Sequence, residues 1–508
     1  MSFDERESRR RPELVIALVG AAGTDLEAVA KKIGRALSPM RYRTEEIRLS
    51  ALLHEVPGFE SLRGIRDEAD RISEHQKAGN RLRELTKRGE AVALLAVAAM
   101  RRVRKQKNSL LNRDDKEPLD GVAFIVRSLK TRAEVDELRR VYGDSLVVLG
   151  VHSSEETRRN SLAQAIALSK CDPNHDAYMA RAQELLAIDQ EEPGNAYGQD
   201  VRHAYPESDV FVAMDAPSDS AREIERFFRL YFGNQFVTPT PDEFAMFLAH
   251  AVALRSADLS RQVGAVIATK EGDVVAVGCN EVPKAGGGQY LDGDPNDARD
   301  FRLDHNMSAQ YRRSALAQVL DRLAKNGWLS EEYAGKSAQE LSDKARDLMR
   351  GTQLMGSGEY GRMVHAEMAA LTDAARRGVA TRELRLVTNV FPCHNCTKHI
   401  VAAGIQEVVF LHPYPKSLAL QLHRDSVELE PAYGGDRVAF RPFAGVGPRQ
   451  YMSLFKMTAR KEGDEAAAWR PETATPRQWK SFTAVVECET AAFMDLQRAL
   501  KNAGLQWA

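Results

Sequence analysis

The chain has 508 residues, with 71 Lys and Arg against 72 Asp and Glu and a formal net charge of −1 at pH 7. That length suits several domains with a sizeable core in each, and the near balance of charge removes the global electrostatic footprint of a nucleic-acid binder. Five cysteines, Cys171, Cys279, Cys393, Cys396 and Cys488, are too few and too scattered for a disulfide framework, so a reducing cytoplasmic setting is expected.

Residues 1–11 are polar and arginine-rich, lack the apolar stretch of a signal peptide, and are expected to form a disordered tail. The most apolar window, residues 91–100, is too short to span a bilayer, so no membrane partner is expected. Residues 14–19 are a continuous apolar run that ends in Gly20-Ala21-Ala22-Gly23-Thr24-Asp25 before a helical stretch to Leu37. Strand, glycine turn, helix is the arrangement that presents backbone N–H groups to a phosphate, which makes Gly20, Gly23 and Thr24 candidate nucleotide-binding residues. The lysine of a Walker A pattern is missing. A turn that only packs the first helix on its sheet reads equally well. Runs at 122–126, 146–151 and 210–214 read as buried parallel strands, and the alanine-rich stretch at 91–98 reads as strand or helix. This alternation indicates an α/β domain over residues 12–237. The basic cluster from Arg101 to Lys107 has no interleaved aromatics and reads as a solvated helix end.

Thr238-Pro239-Thr240-Pro241 is a stiff polar break, expected to be the interdomain linker to a second unit over 238–508. Beyond it the pattern predicts an amphipathic helix at 242–255, then a hairpin of residues 263–268 and 274–278 closed by Lys270-Glu271-Gly272-Asp273. Asn280 follows the second strand, where its amide would reach a sugar hydroxyl or cap the loop. The Gly/Asp-rich segment 285–306 reads as an ordered loop over a pocket, and 308–350 as solvated helix. Past a strand at 408–411, Tyr414 would stack on a base and Lys416 meet a phosphate, unless His412-Pro413-Tyr414-Pro415-Lys416-Ser417 is simply a stiffened surface turn. The portion after 440 is an extension without recognisable chemistry.

The chemistry concentrates in His365-Ala366-Glu367 and Pro392-Cys393-His394-Asn395-Cys396. A hydrolytic zinc site uses three protein ligands and keeps a fourth position open; His365, Cys393 and Cys396 supply one nitrogen and two sulfurs. Glu367 is left over as a proton carrier, whereas a structural site would take a fourth ligand and have no use for it. Each motif opens a helix, and N-terminal N–H groups favour thiolates. His394 and His399 read as packing or surface residues.

With Ser260-Arg261-Gln262-Val263-Gly264-Ala265-Val266-Ile267 and Gly278-Cys279-Asn280-Glu281, these motifs make residues 240–440 resemble the deoxycytidylate deaminase branch of the cytidine deaminase-like superfamily. The resemblance implies a helix-flanked mixed sheet, Zn2+ on His365, Cys393 and Cys396, Glu367 as proton shuttle, Asn280 near the sugar and the Ala366 backbone near the base. The turn at Gly20, Ile47-Arg48-Leu49-Ser50, Tyr197-Gly198-Gln199 and the 412–417 segment extend the likeness to bacterial anti-phage deoxycytidylate deaminases, which join a P-loop nucleotide-kinase-like domain to the deaminase. That likeness implies an α/β chain with an N-terminal P-loop-kinase-like parallel-sheet domain and a C-terminal cytidine deaminase-like α/β/α sandwich. It implies deamination of dCTP, dCMP or both, a dNTP effector (dTTP or dCTP), a regulatory RNA and a homo-oligomer. A polynucleotide cytidine deaminase and a nucleotide- or RNA-sensing switch with little catalysis are the competing expectations.

Overall fold

Two six-stranded sheets organise the chain in the computed structural model, which describes residues 11–505 except 115, 193, 216–219, 304–306, 350–351, 353–354, 356–360, 414–416, 431–435 and 457–458. The first sheet is built on β1 (Leu14–Gly20), all seven residues of which are buried. It is joined by β2 (Arg43–Arg48), β3 (Val122–Leu129), β4 (Leu146–His152) and β5 (Val210–Ala213) in the parallel order β2-β3-β1-β4-β5. Side chains alternate across a strand. Val15, Ala17 and Val19 therefore enter one core layer, while Leu14, Ile16 and Leu18 enter the other with Val29, Ile33 and Phe227.

The longer helices of this unit are α1 (Leu26–Leu37), α2 (Glu68–Thr86), α3 (Ala91–Leu110), α4 (Arg132–Tyr142), α5 (Glu155–Ser169), α6 (Met179–Gln190) and α7 (Ser220–Tyr231). Their starts follow the sequence: Asp25 accepts from Ala28 N to cap α1, and Thr131 and Glu134 form a capping box on α4. The ambiguous alanine-rich stretch is helical. Residues 91–100 of α3 are buried on every side, so no amphipathic period marks them.

The second sheet contains β6 (Gly264–Ala268), β7 (Val274–Cys279), β8 (Arg385–Val390), β9 (Glu407–His412), β10 (Val427–Leu429) and β11 (Val438–Pro442), in the order β10-β11-β9-β8-β6-β7. The expected hairpin is β6–β7; β6 also pairs antiparallel with β8, and the remaining pairs are parallel. Its longer helices are α8 (Pro241–Ala253), α9 (Met307–Lys325), α10 (Ala338–Leu348), α11 (Ala366–Arg376) and α12 (His394–Ala402). Two glycines let helices sit on opposite faces. A Cβ on Gly264 would lie 1.9 Å from the Ala249 carbonyl oxygen of α8, and one on Gly278 would lie 2.4 Å from the Ala366 carbonyl oxygen of α11.

The chain then returns to the first sheet. β12 (Gly445–Val446) pairs antiparallel with β5, α13 (Pro448–Phe455) follows, and α14 (Phe482–Asn502) packs on α3 and α4. Arg104 of α3 is clasped between Glu13 and Glu489 of α14, all three buried. Glu243 of α8, fully buried, accepts from both Nη atoms of Arg226, from Thr240 N and from Val446 N, tying α7, the linker and β12 at one carboxylate. The α8 face of the second sheet, through Met246, Val266 and Val387, belongs to the same apolar cluster as Val126 and Val148 of the first. Among the described residues no helix is long and apolar enough to cross a membrane.

Candidate metal centre and catalytic site

The two motif helices bring their first turns together on one side of the second sheet. His365 is the N-cap of α11 and Cys393 the N-cap of α12, with Cys396 one turn on. His365 Nδ1 lies 3.3 Å from Cys396 Sγ and 3.4 Å from Cys393 Sγ, and the three ligand atoms all fall within 4.8 Å of one another. Zinc–sulfur and zinc–nitrogen bonds at a tetrahedral angle set nitrogen and sulfur about 3.6 Å apart, so the donor set fits a zinc ion with only small adjustment. Cys396 is wholly buried; His365 and Cys393 are half-buried.

Hydrogen bonding from Cys396, reinforced by His365, pulls the Cys393 thiol down to about 3. The same bond, together with burial, pushes Cys396 up, and His365 is raised chiefly by its bond to Cys393. Glu367 is only 4% exposed, and the Cys396 thiol donates to its Oε2 at 3.3 Å. Burial raises its carboxyl, which suits a group that must both take and return a proton. The carboxylate thus sits against the ligand set without being part of it.

Asn280 is near the site, but its amide is used within the protein. Its Oδ1 accepts from Val263 N at 2.7 Å, and its Nδ2 donates to Asp258 Oδ2 at 2.7 Å and to Arg261 O at 2.8 Å, pinning the loop before β6. Ala366 is fully buried as the first residue of α11, where helix N–H groups lack an intrahelical acceptor. Tyr414 and Lys416 lie outside the described residues.

Three polar supports escaped sequence reasoning. Buried Glu281 accepts from Ala257 N and Val282 N, and its backbone carbonyl accepts from Val364 N just ahead of His365. Asn389 accepts from Gly264 N and donates to Gln262 O. Arg362 Nη1 donates to Ala298 O and Asp300 Oδ1, tying the 280–303 loop to the His365 segment. The available signal was a polar residue inside a strand, Asn389, immediately before the cysteine motif.

Residues 239–412 match the family model of the cytidine and deoxycytidylate deaminase zinc-binding region. This region is therefore similar to the cytidine and deoxycytidylate deaminases. The matched family is a zinc-binding one, and among the described residues the His365, Cys393 and Cys396 cluster is the group that could hold the ion. ComE operon protein 2 of Bacillus subtilis is 34% identical over 70 residues, which are 13% of this chain and 37% of that protein, so the chain spans little more than a third of its curated relative. Among solved structures, the dCMP deaminase of cyanophage S-TIM5 in apo form aligns at 14% identity with a TM-score of 0.22, covering 41% of this chain and 99% of that one. A diaminohydroxyphosphoribosylaminopyrimidine deaminase/reductase of Thermotoga maritima aligns at 16% identity and a TM-score of 0.21, over 42% of this chain and 39% of that one.

Gly20, Gly23 and Thr24 are placed away from this centre, on the wall of a separate cavity in the first unit.

Proposed function

We propose that the chain is a zinc-dependent hydrolytic deaminase of deoxycytidine nucleotides, converting dCTP, dCMP or both to the uracil nucleotide and ammonia. The observation that carries this reading is the buried Glu367 carboxylate beside, and outside, a three-ligand His/Cys/Cys set. Zinc held there supplies Lewis acidity that brings the pKa of water to about 7. Glu367 takes one proton from the attacking water and passes it to the ring nitrogen N3 as oxygen bonds to C4, then takes the remaining proton from the new C4 hydroxyl and delivers it to the amino group as the C4–N bond breaks and ammonia leaves. The Ala366 N–H, at the start of α11, would donate to the ring carbonyl. Asn280 acts as a positioning residue, shaping the 258–263 loop around the sugar. Tyr414 and Lys416 are retained as base- and phosphate-contacting residues.

The first unit is read as a P-loop-kinase-like sensor or scaffold, supported by its five parallel strands and by the glycine turn at the end of β1. Draining of the deoxycytidine nucleotide pool in anti-phage defence, restrained by a dNTP effector (dTTP or dCTP) or an RNA in a homo-oligomer, is the biological role that fits this pairing. The test is zinc-loaded protein incubated separately with dCTP, dCMP and single-stranded DNA, with and without dTTP, following ammonia release. Turnover of a free nucleotide is expected; deamination of DNA alone would reverse the substrate assignment.

A further inference from the structure

A cavity of about 590 Å³ lies between the turn at Gly20 and α2, within the size range of small-molecule sites. It sits beside the carboxyl end of β1, where the strand order changes direction and open α/β sheets take ligands. Three features of its wall define what it can hold.

The anion seat of the turn is already filled. Ala22 N donates to Asp189 Oδ2 at 2.7 Å, while Lys130 Nζ meets Asp189 Oδ1 at 2.8 Å and the Gly20 carbonyl at 3.2 Å. Asp189 is 1% exposed, so a carboxylate from α6 stands where a bound phosphate would sit. Counted from Gly20, the Walker positions for the last glycine, the lysine and the hydroxyl residue are Asp25, Leu26 and Glu27. Leu26 is buried in the core, and Glu27 brings a negative charge to the cavity wall. At the turn itself the Ala22 N–H and the Lys130 ammonium are already committed to Asp189, so a run of phosphates would have to displace that carboxylate.

One face of α2 supplies unmet hydrogen-bonding groups. Gln76, Gly79 and Arg83 follow one another at helical spacing along the cavity wall. Gln76 is 7% exposed; its Nε2 donates to Leu185 O, and its Oε1 has no partner. Turning the amide over would set oxygen against that carbonyl, so the free group is an acceptor. Arg83, 2% exposed, uses Nη2 on Glu134 and Nη1 on Asn80 and Tyr197, leaving Nε without a partner. Between them Gly79 keeps space open: a Cβ there would lie 3.7 Å from Gln199 Nε2 and 3.8 Å from Arg83 Nη1. Leu53, Ile72, Val92 and Leu162 provide apolar flanks for a flat ring. At the rim, Arg48 donates to Ser50 and has no ion-pair partner among the described residues.

We propose that this cavity binds a nucleoside carrying at most one phosphate, with the base edge read by Gln76 Oε1 and Arg83 Nε and the phosphate met by Arg48. The site rests on the sensor reading of the first unit and narrows it to a nucleoside monophosphate, leaving any dNTP effector to a different site, and it is independent of the deaminase chemistry. It takes a monophosphate and refuses a triphosphate because Asp189 holds the turn closed.

Calorimetric titration of full-length, zinc-loaded protein with dUMP, dTMP, dCMP and GMP, and with dTTP and ATP, tests this. At least one monophosphate is expected to bind about tenfold or more tightly than its triphosphate. Gln76→Leu and Gly79→Leu should each weaken that binding about tenfold, the scale of one buried hydrogen bond, while deamination proceeds unchanged. Gly79→Ala, whose Cβ makes only ordinary contacts, guards against misfolding and should weaken binding in the same direction. Tighter triphosphate binding, no monophosphate binding, or binding lost in His365→Ala but retained in all three α2 variants would overturn the proposal. Binding that responds to the α2 variants in a protein without deaminase activity would uphold it and remove the deaminase reading instead.

Discussion

Replacing Glu367 by glutamine separates the chemistry of the centre from its architecture. The side chain keeps its size and loses only the ability to accept and return a proton. Its carboxylate accepts from the Cys396 thiol at 3.3 Å, and it is not one of the three ligand atoms, so metal binding should survive. General acid–base catalysis by one positioned group is worth about 10²–10⁴-fold. Glu367 is assigned two successive proton relays at one site, which places the expected loss at about 10³-fold or more, or about 4 kcal/mol on the barrier. The stability change should have the opposite character. Burial raises the Glu367 carboxyl, so its ionised form costs free energy in the fold, and the neutral amide removes that cost. The measurements are ammonia release under saturating nucleotide, zinc content per chain, and the thermal midpoint. A variant with one zinc, an unchanged or higher midpoint and turnover within tenfold of the parent would refute the assignment of Glu367 as proton carrier.

The ligand set predicts one zinc per chain by elemental analysis; chelation should abolish turnover and lower the thermal midpoint, and Cys393→Ser should reproduce both effects. In the buried cluster of α3 and α14, Arg104→Met leaves Glu13 and Glu489 facing each other without a cation and should cost about 3–5 kcal/mol in urea unfolding. Glu489→Gln keeps the Arg104–Glu13 pair and should cost less than half as much; equal losses would mean that packing, rather than charge, sets the value. Burial works to raise the Asp242 carboxyl, but Arg441 and Arg385 outweigh it and hold it below the usual range. A depressed carboxylate stabilises above its unfolded pKa of about 3.9, and that contribution is lost as pH falls through the lower folded value. Asp242→Asn should therefore be less stable than the parent at pH 7, with the gap closing progressively below about pH 4 in acid unfolding; a constant gap would contradict this.

The sequence exposed those features whose physics is local. β1 is an uninterrupted apolar run, the β6–β7 hairpin carries its turn residues, and the metal ligands are chemically unusual residues at short spacing. What it hid depends on partners far along the chain. The helical state of α3 was masked because residues 91–100 are buried all round, removing the period that distinguishes helix from strand. For Asn280 the sequence left a sugar contact and a loop cap equally open, because the backbone groups that take its amide, Val263 N and Arg261 O, lie 17 and 19 residues away along the chain. β12 is two residues long and has no strand signature of its own; it exists because β5 offers an edge and because Glu243 accepts from Val446 N. Nothing near Gly20 announces Asp189, which arrives from 167 residues away.

The junction between the two sheets limits how one unit can govern the other. A hinge at the Thr238–Pro241 linker would have to pull Glu243 from four donors and expose apolar surface shared by α8 and the first sheet. Leaving that carboxylate buried without Arg226 is a multi-kilocalorie cost, so opening there is not a low-energy motion. A lighter contact bridges the units elsewhere: His152, the last residue of β4, meets Glu430, just beyond β10, at 2.7 Å, with both side chains partly open to solvent. β4 lies next to β1, whose end carries the turn held by Asp189, whereas β10 pairs with β11 and belongs to the sheet that supports the metal centre. If a ligand of the first unit controls the proposed deaminase centre, the place to look is the carboxyl ends of these strands, where a small shift can be transmitted without separating the shared core.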